Sequence, residues 1–153
     1  MDNINELKLA ILTALGMAGA FISQLLGGWD AGMSTLIIFM AIDYFTDFLV
    51  GAVFHKSPKS ENGSLDSKVG FKGLCKKGMI LLIVLIAVRL DLMVNSDYIR
   101  DAVIIAFSLN ELVSIIENAG LMGIKMPTVI TKAIDSLKGK ETGVWYFDYN
   151  RRF

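Results

Sequence analysis

Six ionisable side chains stand inside otherwise apolar stretches of this sequence: Asp43, Asp47, Arg89, Asp91, Glu111 and Glu117. On membrane-insertion scales each such group costs roughly 2.5–3.5 kcal/mol, so their spacing is the first thing to read. Asp43 and Asp47 are four residues apart and share a helix face. Glu111, Ser114 and Asn118 fall at i, i+3 and i+7, and Asn110, Ser114 and Glu117 at i, i+4 and i+7, which draws a polar stripe along an apolar segment. Carboxylates so placed can bind cations, exchange protons or hydrogen-bond between helices. Other chemistry is thinly represented. One histidine, His55, and one cysteine, Cys75, leave no intrachain disulfide and argue against a histidine triad or a zinc cluster. We therefore expect no metal, no cofactor and no enzymatic activity, since an enzyme here would have to run on carboxylates alone.

The elements that must position these groups are apolar helices. The chain has 153 residues, 54% of them hydrophobic, above the 45–50% usual for soluble domains. Fifteen basic residues balance fifteen acidic ones, which excludes nucleic-acid binding driven by overall basicity. Four stretches are candidate membrane spans: 9–26, 33–54, 78–94 and 102–124. The expected fold is an all-α membrane protein with about four transmembrane helices, forming one domain over 1–153. The competing possibility, core helices of a soluble bundle, leaves too little polar helix to cover four such segments. MDNINEL is acidic, unlike the basic start of a signal peptide, so the first span should be retained.

With four spans, the N-terminus, the 55–77 loop and the tail share one side, and thirteen of the fifteen basic residues lie there. The positive-inside rule then places both termini in the cytoplasm. A three-span arrangement, the alternative, would divide these clusters. Residues 65–77 mix Leu65, Val69, Phe71 and Leu74 with Lys68, Lys72, Lys76 and Lys77. That pattern suits either a basic segment facing anionic lipid or a solvated loop. Pro127 marks a further helix start, and Val129, Ile130, Ala133, Ile134 and Leu137 then line one face of an amphipathic tail over 127–153 that ends in the aromatic WYFDYNRRF. In the first span, Ala10, Ala14 and Ala18, with Gly16 nearby, give a small-residue face on which helices pack closely.

At about 1.5 Å per residue, Asp43 and Glu111 lie roughly 14–15 Å from the outer ends of their spans, and Asp47 and Glu117 roughly 21–23 Å. Two carboxylate layers are thus expected between the second and fourth spans. Arg89, at roughly 8 Å, is within stretching distance of Asp43. The stripe either bridges helices as protonated acids and amides, or lines a water-filled pore once chains assemble.

The run TLIIFMAIDYFT (35–46), the basic SKVGFKGLCKK (67–77) and NELVSIIENAGLMGIKMP (110–127) together resemble the toxin-secretion/phage-lysis holin family, in the family's order and over about residues 33–138. By this resemblance Asp43, Lys68, Gly70, Phe71, Gly73, Lys77, Asp91, Glu111, Ser114, Glu117, Asn118 and Pro127 occupy motif positions. Asp47 stands where the family usually has Gly, and Arg89 is unusual for the third segment. The resemblance implies a homo-oligomer of the cytoplasmic membrane that permeabilises it and releases an endolysin or an exported toxin. A small ion channel, a proton-coupled carrier, or an antiholin or assembly partner that never opens are the other readings of the same residues.

Overall fold

The computed structural model describes residues 2–58, 67–130, 132 and 136. Four helices follow one another: α1 (Asp2–Leu25), α2 (Ala31–Ala52), α3 (Ser67–Val94) and α4 (Ile99–Leu121). The four apolar stretches overlap these four helices. Two of them, Ile4–Leu25 and Ala31–Ala52, are long and apolar enough to cross a membrane. The main correction is to α3, which starts eleven residues before the apolar run. The basic segment 67–77 is its first three turns rather than a loop. The tail beyond Ile130 lies, except for residues 132 and 136, outside the described residues.

The helices stop and start where local chemistry requires it. Gly27, at φ +81°, ends α1, and the Gly28 N–H donates to the Ser23 carbonyl at 2.8 Å. This left-handed turn suits glycine. Asn95, at φ 53°, ends α3 in the same way, with the Ser96 N–H donating to the Asp91 carbonyl at 2.9 Å. Asp30 caps α2 by accepting from the Met33 N–H at 2.8 Å. The start of α4 is capped from another helix: the Asp91 carboxylate accepts from the Ile99 and Arg100 N–H groups at 3.0 and 2.8 Å. Those donors have no partner within their own helix.

Three helices make the body. The α2–α4 pair is the most extensive, α3 packs on α4, and α2 meets α3 over a short stretch. Met33, Leu36, Met40, Ile80, Val84 and Ile104 form the apolar core of the half nearest the α1–α2 and α3–α4 turns, joined there by Leu26. Helix α1 contributes almost nothing to it, since every residue from Ile4 to Ile22 is exposed. The exterior is apolar too: Ile38, Phe45, Leu82 and Ile86 are exposed on α2 and α3. An apolar outside around buried charges is the reverse of a soluble bundle and needs lipid to cover it.

Candidate functional site

Asp43, Lys77, Arg100 and Glu111 are all buried, and they mark two places where the body is polar inside. The first lies at mid-height. Asp43 is nine residues before the C-terminal end of α2, Glu111 ten before that of α4 and Lys77 ten after the N-terminal end of α3, so all three lie about 14–15 Å along their helices from those ends. There the Lys77 Nζ donates to Asp43 Oδ2 at 2.8 Å and to Glu111 Oε2 at 2.5 Å. The side chains of Lys77, Asp43 and Glu111 are 11%, 9% and 6% exposed. One ammonium thus ties three helices through two carboxylates. Asn118 extends the network towards the C-terminal ends of α2 and α4: its Nδ2 donates to Thr46 Oγ1 and Asp47 Oδ1 at 3.0 Å each, and more weakly to Asp43 Oδ1 at 3.4 Å. Thr46 in turn donates to the Asp43 carbonyl at 3.0 Å. Asp47 is thereby a further acceptor for Asn118.

The second polar place is at the turns. Arg100 donates from Nε to the Leu26 carbonyl at 2.7 Å and from Nη2 to the Gly28 carbonyl at 3.1 Å. Its Nη1 meets Asp30 at 2.6 Å and Asp101 at 3.1 Å. The arginine side chain lies flat over Gly27, where a β-carbon would come within 2.7 Å of Nε. The hydrogen bond from Arg100, helped by the Met33 N–H, holds the Asp30 carboxyl below its ordinary value against a smaller opposing effect of burial.

Several expectations about the site are revised here. The structure brings Asp43 and Glu111 together as their equal depth implied, but the cation between them is Lys77, which was expected to face lipid. Arg89 is exposed, on the opposite side of α3, and does not reach Asp43. Ser114 is half-buried and Asn118 buried on α4, whereas Glu117 is exposed. The lower layer is therefore an Asp47–Asn118 bond rather than a carboxylate pair. Lys68, Lys72 and Lys76 remain exposed along one edge of α3. Gly70 and Gly73 face Tyr44, with added β-carbons 3.7 Å from its hydroxyl and 4.0 Å from its ring, respectively. The small-residue face of α1 (Ala10, Ala14, Gly16 and Ala18) is exposed and packs on none of the described residues. Arg100 stands between the third and fourth apolar stretches, where a reading of charges inside the stretches does not find it. Among the described residues no cluster of His, Cys, Asp and Glu is arranged to hold a metal ion.

An all-helical body with an apolar exterior, buried charges and two bilayer-length helices defines a helical membrane protein. The model of the bacteriophage holin family matches residues 20–139, most of the chain, and the protein belongs to that family. It is similar over 144 residues, at 30% identity, to an uncharacterised 14.9 kDa protein in the nagH 3′ region of Clostridium perfringens, covering 92% of this chain and all of that one. An uncharacterised protein of Listeria monocytogenes is 38% identical over 117 residues, 76% of this chain and 78% of the relative. Uncharacterised protein YtkC of Bacillus subtilis is 29% identical over 115 residues, 74% and 80% of the two chains. No solved structure matches.

Proposed function

We propose that the chain is a pore-forming holin: it spans the bacterial cytoplasmic membrane four times with both termini inside, self-associates, and permeabilises the membrane for an endolysin or an exported toxin. The observation that carries this reading is the buried acidic network at mid-height of a bundle whose outside is apolar. In a bilayer those groups must face one another or water, and on assembly they can line an aqueous path. With 28 and 23 residues, α3 and α4 are about 42 and 35 Å long, enough for the roughly 30 Å hydrocarbon core. The exposed lysines Lys68, Lys72 and Lys76 suit an anionic inner leaflet. The uncovered alanine face of α1 supports contacts between copies.

Reconstitution tests it. Vesicles of phosphatidylethanolamine and phosphatidylglycerol should release a small dye and then an enzyme-sized dextran as protein accumulates. Release of ions with retention of dye would favour a channel or carrier, and no release at all a non-opening partner. In cells, cysteines at Trp29 and Tyr98 should react with an impermeant reagent from outside and one at Lys56 only from inside. External labelling at Lys56 would overturn the four-span topology.

A further inference from the structure

Lys77 differs from the other lysines of α3 in being buried, and its surroundings show what it does there. Two carboxylates face one ammonium, so the cluster has one more acidic group than basic groups. The ammonium is a compact point charge on a flexible stem. Side chains on a helix lean towards its N-terminus, which for α3 is the basic end carrying Lys68, Lys72 and Lys76. One and two turns in that direction lie Gly73 and Gly70, which carry no side chain, and Tyr44 is the described residue beside their β-positions. Asp47, joined to Asp43 through Asn118, offers a second acidic station about 6 Å further along the same route.

The geometry points to Asp43 and Glu111 as the cation-binding pair of the conducting path, with the Lys77 ammonium as its tethered, displaceable occupant. While Lys77 is seated, α3 is fastened to α2 and α4 and the pair is filled. When the ammonium withdraws along the Gly73–Gly70 track, the bundle loosens and a hydrated monovalent cation takes its place. This inference rests on the pore-forming reading and adds the device that keeps the pore shut.

The test uses the full chain in vesicles of phosphatidylethanolamine and phosphatidylglycerol, with Cys75→Ser and a reporter cysteine at Val84. Val84 is fully buried seven residues from Lys77 on the same face of α3. The readouts are reaction of the reporter with a charged thiol reagent, potassium flux and dye release. Lys77→Met should expose the reporter and raise potassium flux about tenfold, the change produced by roughly 1.4 kcal/mol against the closed state. The triple change Asp43→Asn, Glu111→Gln, Lys77→Met removes every charge at similar volume and should protect the reporter again. A protected reporter in Lys77→Met, whatever the flux, overturns the inference, because two acids without their ammonium would then leave the bundle closed. A reporter equally exposed in the triple variant also overturns it, because the single change would simply have damaged the fold. Reactivity that follows the charges while neither potassium nor dye crosses leaves Lys77 as the fastening and overturns the pore-forming reading instead.

Discussion

Arg100 and Lys77 are both buried cations that join three segments, with side chains 10% and 11% exposed, yet they are bound in opposite ways. Arg100 spreads its planar fork over two backbone carbonyls and two carboxylates, and those carboxylates, on Asp30 and Asp101, are 48% and 61% exposed. Lys77 puts a single nitrogen between two carboxylates that are both buried. The fork has several directed bonds that must all break together, whereas the point charge has one position it can leave. The comparison teaches that burial of a charge does not by itself define its role. The arginine is fixed to backbone and closes the turns, while the lysine is held only by other ionisable groups and can respond to them.

The most forceful way to break this contrast is Arg100→Met. It leaves the Leu26 and Gly28 carbonyls without their donor and should cost about 2–3 kcal/mol, measured by titrating helix content with dodecyl sulfate in mixed micelles. Adding Asp30→Asn should not restore the loss, because exposed ion pairs contribute little and the carbonyls still lack a partner. Restoration by Asp30→Asn would place Arg100 in the same class as Lys77. A smaller effect is expected for Asp91→Asn. The carboxamide keeps one acceptor oxygen for the three donors on Ile99, Arg100 and Ser96, and the loss should be about 1–2 kcal/mol in the same titration. It should also raise amide hydrogen exchange in the first turn of α4 alone.

The smallest expected effect is on pH. Asp30 is held below its ordinary value of 3.8 in the folded chain, so the unfolded chain binds the proton more readily. The stabilisation is complete above 3.8 and is lost as the pH falls from there through the depressed value. Unfolding midpoints measured down that range should decline more steeply for the wild type than for Asp30→Asn. Equal slopes would show that the arginine holds the turn through its carbonyl bonds alone.

Much of this arrangement is legible in the sequence. The apolar runs of α1, α2 and α4 place those helices, and counting residues from their ends puts Asp43 and Glu111 at one level. Lys77 is hidden by its neighbours. It closes the basic run KGLCKK, and composition there reads as an interface, so the apolar run at Gly78 becomes the start of the helix. The signal that finds it is periodicity: Lys77, Ile80, Val84, Ala87, Val88 and Asp91 share one face, which makes Lys77 the first member of a buried stripe. The same pattern puts Arg89 on the other side of α3, so depth alone pairs it wrongly with Asp43. Arg100 and Asp30 are not readable in this way. Their bond joins positions 70 residues apart across two turns, and no local period links a guanidinium to the carbonyls of a glycine turn.

Those sequence separations set a timetable for a chain made from its N-terminus. Leu26 precedes Arg100 by 74 residues, which at about 5–20 residues per second is roughly 4–15 s of synthesis. Asp43 precedes Lys77 by 34 residues, and Lys77 precedes Glu111 by another 34. Helices α1 and α2 are therefore made with the turn between them unclasped and with a carboxylate on α2 that has no basic partner yet. Helix α3 brings the ammonium, and only α4 carries both the guanidinium and the second acid. Both polar joints of the molecule are completed by α4.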